Sequence, residues 1–95
     1  MVASAIAPAS TASATYTVVI EGMTFNPPTL TIARGDRVTW VNKDLFVHTV
    51  TAASGTFDSH AIAPGTSWAL TAKQSGEYPY LCTLHPTMAG RLVVR

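Results

Sequence analysis

One short segment near the end of the chain concentrates the side chains with the strongest metal-binding chemistry. Within YLCTLHPTMAG (80–90), Cys82, His85 and Met88 follow one another at intervals of three residues, and Cys82 is the only cysteine of the chain. A lone cysteine has no internal disulfide partner, so its thiol is a buried small hydrophobe, a reactive group or a metal ligand. The neighbouring imidazole and thioether favour the role of metal ligand.

The spacing of these three side chains predicts a turn rather than a helix. On a helix, positions i and i+3 share a face, whereas position i+6 lies well round the cylinder. Pro86 also disfavours helical backbone at His85, the residue before it. We therefore predict a tight loop that leaves one strand at Cys82 and enters the next near Gly90.

The donor set indicates copper more than other metals. Thiolate and thioether sulfurs are soft donors and imidazole is intermediate, whereas zinc prefers further Cys, His or carboxylate ligands. A c-type haem needs a second cysteine just before its histidine, and an iron–sulfur cluster needs several thiolates. A copper site of this kind also needs a second imidazole. We predict that His48, at the start of a strand, supplies it and that His60, in a long polar connection, is a surface histidine.

The rest of the chain predicts the strands that must hold these loops. From Thr15 onward, short runs rich in β-branched and aromatic residues alternate with turns that contain Gly, Pro or Asn-Lys-Asp. No window has a good period of 3.6 residues, so little helix is expected. The pattern favours an antiparallel sandwich or barrel. The predicted strands are 15–21, 30–33, 37–42, 48–52, 66–72, 77–82 and 91–95.

Length and composition restrict the chain to one domain with few charges. The 95 residues carry a net charge of +1, and the six basic residues are scattered, so no nucleic-acid partner is expected. The uncharged apolar stretches are far shorter than the ~20 residues of a membrane span. Residues 1–14 are small and uncharged, and Ala12-Ser13-Ala14 has the form of a signal-peptidase site. We expect residues 1–14 to be a disordered leader or the remnant of an export signal, with the domain at 15–95.

Two segments together resemble the cupredoxins, the blue-copper electron-transfer proteins. They are WVNKDLFVHTV (40–50) and GEYPYLCTLHPTMAGRLVV (76–94). The resemblance is greatest to the amicyanin type, which has the same short spacing between His85 and Met88, and is looser to plastocyanin and pseudoazurin. It implies an all-β Greek-key sandwich of about seven to eight antiparallel strands and one copper ion. It also implies His48, Cys82 and His85 as equatorial ligands and Met88 as a long axial ligand.

The resemblance further implies the surroundings of the copper. The Asn42 side chain is expected to bond to the backbone near Thr83 and so tie the two ligand loops together. A backbone N–H near the Cys82 sulfur is expected to stabilise the thiolate. Independently of the resemblance, Met23 and Trp40 are expected to be core residues. His85 is expected to expose its ring edge within an apolar partner patch. That patch would comprise Leu45, Phe46, Val47, Leu84 and Pro86.

Together these expectations describe a monomeric one-electron carrier, exported to the periplasm or a similar compartment. It would pass electrons between redox proteins, with a donor such as a dehydrogenase and an acceptor such as a c-type cytochrome or an oxidase. The same ligands would also suit a copper storage or delivery protein. Two further alternatives are an enzyme that uses Cys82 as a nucleophile and an interaction module without metal.

Overall fold

The computed structural model describes residues 13–95, so the predicted leader lies outside the described residues except for Ser13 and Ala14. Residues 13–95 contain no helix. Within this range there is therefore no helix long and apolar enough to cross a membrane. They form eight strands. These are β1 (Thr15–Glu21), β2 (Thr24–Asn26), β3 (Thr29–Ile32), β4 (Arg37–Asn42), β5 (Thr51–Ala52), β6 (Ser67–Thr71), β7 (Gly76–Leu81) and β8 (Ala89–Val94).

The strands form two four-stranded sheets that pack on one core. One sheet has the order β2-β1-β4-β6 and the other the order β3-β8-β7-β5. Five of the seven connections between successive strands cross from one sheet to the other. The predicted all-β sandwich with little helix is therefore confirmed.

Both sheets are mixed, whereas purely antiparallel pairing was expected. Strand β1 pairs in parallel with β4, and β3 pairs in parallel with β8. Between the two members of each pair the chain passes through the opposite sheet and returns in the same direction. Alternation of apolar and polar residues predicts that a segment is a strand, but it does not specify which neighbour the strand selects.

An aromatic cluster at the centre of the core fixes the strand that leads into the Cys82 loop. Tyr80 contacts Trp40 edge-on, with ring centroids 5.6 Å apart, and Phe25 at 4.9 Å. Its ring also covers Gly90 on β8, where a Cβ would lie 2.4 Å from the Tyr80 Cζ. Trp40 is fully buried, as predicted. Because the ring needs the space that Gly90 leaves, the backbone two residues before Cys82 has little freedom to shift.

Asp36 ties the start of β4 to two neighbouring stretches of chain. Its carboxylate oxygens accept hydrogen bonds from the backbone N–H groups of Ala14 and Ala33, each at 2.9 Å. These two bonds hold the pKa of Asp36 below its ordinary value of 3.8. The ionised carboxylate therefore stabilises the folded state.

Replacing Asp36 with Asn is expected to lower the free energy of unfolding at neutral pH, because the amide offers one acceptor atom where the carboxylate offers two. The folded-state pKa is depressed, so the stabilisation is fully present above the ordinary pKa of the unfolded chain and is lost as the pH falls through the folded pKa. Urea denaturation of the metal-free protein from pH 7 to pH 3 measures this, with exposed Glu21→Gln as the control. A stability difference that stays constant down to pH 3 would contradict the assignment.

Candidate metal centre

Three donor atoms from two loops meet at one end of the sandwich. His48 lies on the segment after β4, and Cys82 and His85 lie on the segment after β7. The Cys82 Sγ is 3.7 Å from the Nδ1 of His48 and 3.7 Å from the Nδ1 of His85. The two Nδ1 atoms are 3.2 Å apart. His48 and Cys82 are fully buried, and His85 is partly exposed.

This triangle has the dimensions of a trigonal metal site. With bonds of about 2.0 Å to nitrogen and about 2.3 Å to sulfur, an angle of 120° separates the two donors by about 3.7 Å. Two nitrogens 3.2 Å apart then subtend an angle of about 106° at the ion. Two imidazoles and one thiolate in trigonal arrangement are the donor set of blue-copper sites. The residues present therefore fit a copper ion without rearrangement of their donor atoms.

The backbone of the Cys82 loop explains the spacing of three residues. The N–H of His85 donates to the carbonyl of Cys82 at 3.2 Å, and the N–H of Met88 donates to the carbonyl of His85 at 2.8 Å. The N–H of Cys82 in turn donates to the carbonyl of Met88 at 3.1 Å. The loop thus consists of two successive turns, and the hydrogen bond between Cys82 and Met88 closes it beside the ends of β7 and β8. The predicted tight loop is confirmed.

Met88 is held at the base of this loop with its side chain in the interior. It is 4% exposed, and β8 begins at the next residue. Its backbone closes the hydrogen-bonded ring with Cys82 and His85. The buried thioether therefore lies in the interior at the end of the loop that carries Cys82 and His85.

The Cys82 sulfur is fully buried and accepts one hydrogen bond from the backbone. The donor is the N–H of Thr49, at 3.3 Å from the sulfur. The expected N–H near the sulfur is therefore present, and Thr49, the residue after His48, provides it.

Asn42 does not make the bond to the Thr83 backbone that was expected of it. Its side-chain amide donates instead to the carbonyls of Phe46 and Ile62, at 2.8 and 2.9 Å, and its Oδ1 accepts from the N–H of Asp44 at 2.9 Å. Asn42 ends β4 in the interior, so its short side chain reaches one carbonyl of its own connection and one of the connection between β5 and β6. It shapes the His48 loop from within.

Thr49 makes the link between the ligand loops that was predicted for Asn42. Its Oγ1 accepts a hydrogen bond from the N–H of Thr83 at 2.9 Å and lies 3.3 Å from the Thr83 Oγ1. The contact joins residues 34 positions apart in the chain. Sequence reasoning missed this residue, because a threonine in a strand-like segment is ordinarily explained by β-propensity.

His48 is held on both sides. Its backbone exchanges two hydrogen bonds with Ile62, at 3.2 and 2.7 Å. Its ring Nε2 lies 2.8 Å from the Oδ2 of Asp44, and the Asp44 side chain is only 10% exposed. The hydrogen bond with His48, followed by that from the N–H of Leu45, holds the pKa of Asp44 below 3.8. Asp44 was not predicted, and its only sequence signal is an acidic residue in the same short loop.

His60 lies apart from the three converging donors. Its side chain is 85% exposed, and the nearest acidic oxygen belongs to Asp58 at 3.8 Å. The backbone N–H of His60 donates to the other carboxylate oxygen of Asp58 at 2.8 Å. His48, rather than His60, is therefore the histidine that the fold brings to Cys82.

The apolar side chains predicted for a partner patch are exposed, and one of them lies beside the His85 ring. The ring of Phe46 lies edge-on to the His85 ring, with centroids 6.2 Å apart. The exposed set comprises Leu45, Phe46, Val47, Leu84 and Pro86.

Met23, predicted for the core, is instead 36% exposed, because it sits in the tight turn between β1 and β2.

Comparisons with known proteins agree with this geometry. A family model described as a cupredoxin-like domain matches residues 1–94. The chain is 34% identical over 82 residues to amicyanin of Paracoccus versutus, which covers 81% of this chain and 62% of that protein. It is also 34% identical over 86 residues to the chloroplastic plastocyanin of Tetradesmus obliquus, which covers 77% of this chain and 59% of that protein. The chain thus spans about three fifths of the length of these two curated relatives.

The fold comparison gives the same result. A solved structure of an amicyanin variant with Cu(I) superposes with a TM-score of 0.79 at 31% identity. The match covers 83% of this chain and 80% of that one.

Replacing Thr49 with Val is expected to weaken the connection between the two ligand loops, because the N–H of Thr83 loses its acceptor. The backbone N–H that bonds to Cys82 remains. We expect a loss of about 1 kcal/mol in the free energy of unfolding, with the copper spectrum retained. Thr39→Val on β4 is the matched control, because the Thr39 hydroxyl makes no hydrogen bond to another described residue. Equal stability of the two variants in urea denaturation would show that the Thr49 bond is unimportant.

Proposed function

The chain belongs to the cupredoxin-like domain family, and on that premise we propose that it is a one-electron carrier with a single blue-copper centre. The observation that carries the proposal is the triangle formed by the Cys82 sulfur and the Nδ1 atoms of His48 and His85. We further propose these three as equatorial ligands and Met88 as the axial ligand. A bound copper ion would supply reversible one-electron redox chemistry between Cu(I) and Cu(II).

The residues of the chain contribute a site that needs little movement. His48 is held by Ile62 and Asp44, and the Cys82 loop is closed by its own backbone bonds. Cu(II) prefers tetragonal nitrogen and oxygen ligands and Cu(I) prefers few soft ligands, so a rigid trigonal set is a compromise between the two states. A site whose ligands stay in place in both states allows fast electron transfer, because little reorganisation accompanies it.

We propose that electrons pass through the exposed edge of His85. This ring is the part of the triangle that reaches the surface, and Phe46 of the apolar patch lies edge-on to it. Exposed apolar clusters of this kind mark interaction sites. The partners would be redox proteins, with a donor such as a dehydrogenase and an acceptor such as a c-type cytochrome or an oxidase. Contacts below about 1,200 Å² of total buried area suit such brief encounters between a monomeric carrier and its partners.

The burial of Cys82 also favours a carrier over an enzyme with a nucleophilic cysteine. The sulfur is 0% exposed, so a substrate has no direct approach to it. Iodoacetamide is expected to leave the copper-loaded protein unmodified, because the thiolate is occupied by the metal. Rapid alkylation of the loaded protein would support the enzyme instead.

Storage or delivery of copper is the alternative use of the same ligands. A carrier of electrons retains its ion through both redox states, whereas a delivery protein yields it to a competing ligand. Prolonged dialysis of the Cu(I) form against a chelator separates the two, since rapid loss of copper would indicate delivery. We also propose an exported, periplasmic location, which the Ala12-Ser13-Ala14 sequence and the similarity to amicyanin support.

The optical spectrum of the copper-loaded protein is the primary test. We expect an intense thiolate-to-copper absorption near about 600 nm, and Cys82→Ser is expected to abolish it because a hydroxyl is a poor soft donor. His60→Ala is the matched control and is expected to leave the band unchanged. Loss of colour in His60→Ala would mean that the wrong histidine has been chosen, and a colourless wild-type protein would favour an interaction module without metal.

Replacing Met88 with Gln is expected to preserve copper binding and to lower the reduction potential. The amide oxygen is a harder donor than the thioether, so it stabilises Cu(II) relative to Cu(I). Each tenfold gain in that preference corresponds to about 59 mV for a one-electron couple. Voltammetry of the two proteins measures the difference, and an unchanged or raised potential would count against Met88 as the axial ligand.

A further inference from the structure

We propose that Asp44 is a positioning residue for the copper centre. Its carboxylate orients the His48 ring so that Nδ1 faces the metal, and its charge increases the donor strength of that nitrogen. The proposal rests on the proposed function, because it concerns the metal that the three converging donors would hold. No pattern in the sequence singles out Asp44 for this role.

The first observation is the hydrogen bond between Asp44 and His48. The Oδ2 of Asp44 is 2.8 Å from the Nε2 of His48, and the ring is fully buried. The Nδ1 on the other side of the same ring is 3.7 Å from the Cys82 sulfur. A carboxylate accepts a hydrogen bond only from a protonated nitrogen. Nε2 therefore carries a proton in this contact, and in the neutral ring the lone pair lies on Nδ1, the nitrogen that faces Cys82.

The second observation is that the carboxylate is itself held from two further directions. Its Oδ1 accepts a hydrogen bond from the N–H of Leu45 at 2.9 Å, and its Oδ2 accepts one from the N–H of Met23 at 3.0 Å. These donors come from its own loop and from the turn between β1 and β2. Asp44 is thus fixed in one orientation by contacts with His48, Leu45 and Met23.

The turn that supplies the Met23 N–H has an unusual backbone. Gly22 and Met23 both have a φ of +61°, the pair of left-handed conformations of a type I′ hairpin turn. Glycine or asparagine ordinarily occupies such positions, and a long side chain there is uncommon. Sparsely populated conformations persist where the surrounding structure enforces them. Here the conformation aims the Met23 N–H at the carboxylate behind His48.

The third observation is the difference between the two histidines. The Nε2 of His85 makes no hydrogen bond to a described residue, and its ring reaches the surface. The carboxylate therefore acts on one imidazole only. A partner that accepts the distal N–H of a ligating histidine raises the basicity of the ligating nitrogen. More electron density on Nδ1 of His48 stabilises Cu(II) more than Cu(I), so Asp44 lowers the reduction potential.

Orientation and charge are separable by substitution. An asparagine at position 44 offers a neutral oxygen to the His48 N–H but only one acceptor atom for the three donors that converge there. A glutamate restores the charge one methylene further from the backbone. Asp58→Asn is the matched control, because Asp58 also lies beside a histidine, His60, but on an exposed loop away from the metal.

The copper-loaded Asp44→Asn protein is expected to remain blue, with a raised reduction potential. Loss of a partner behind a ligating histidine typically costs about 10–100-fold in metal affinity. To the extent that this loss falls on Cu(II) alone, the potential rises by about 59 mV per tenfold. Asp44→Glu is expected to recover part of the shift and Asp58→Asn to show none. A potential of Asp44→Asn equal to that of the wild type would overturn the proposal.

A measurement on the wild-type protein without metal tests the orientation and does not depend on any variant folding. Nitrogen-detected NMR of neutral His48 is expected to show the Nε2–H tautomer, with a proton that exchanges slowly with water. The Nδ1–H tautomer would overturn the proposal. A wild-type protein that shows this tautomer but does not become blue with copper would refute the proposed function and leave the contact between Asp44 and His48 intact.

Discussion

The burial of the Cys82 sulfur is the constraint on which the metal centre depends. An ionised group removed from water is costly unless opposite charge or hydrogen bonds compensate for it. Here the sulfur has one backbone donor, from Thr49, and two imidazole nitrogens at 3.7 Å. A cation at the centre of these atoms would compensate the thiolate and use both lone pairs that face it. The same burial excludes bulk water and substrates from the sulfur.

Short polar contacts meet this constraint by joining the loop that leaves β4 to the loop that leaves β7, two strands of opposite sheets. Thr49 bonds to the N–H of Thr83 across the two loops, and Asn42 bonds the His48 loop to the carbonyl of Ile62. Beneath them, the Tyr80 ring occupies the space that Gly90 leaves open. The apolar core therefore fixes the strands, while the polar contacts fix the ligand side chains. His85 remains the one donor whose ring is not tied down on its outer side.

Much of the fold could be predicted because its signals are local. The bounds predicted for 15–21 and 37–42 coincide with β1 and β4. The short strand β2 (Thr24–Asn26) was missed, because three residues are too few to show alternation. The strand predicted at 48–52 is regular only at Thr51–Ala52, since the residues before it bond to Ile62 and Ser59 in a connection instead of to a neighbouring strand. The parallel pairings depend on the path of the whole chain.

The sequence by itself determined the types of the donors and the loop that carries Cys82, His85 and Met88. Those features follow from side-chain chemistry and from hydrogen bonds between residues three apart. The sequence context also selected His48 over His60, but only the tertiary structure decided that Nδ1 of His48 faces Cys82, that Thr49 links the loops, and that Asp44 stands behind the His48 ring. Each of these contacts depends on the direction of a side chain or on residues far apart in the chain. The spacing of residues along the chain encodes neither the side-chain directions nor the distant contacts, because the packing of the two sheets sets them.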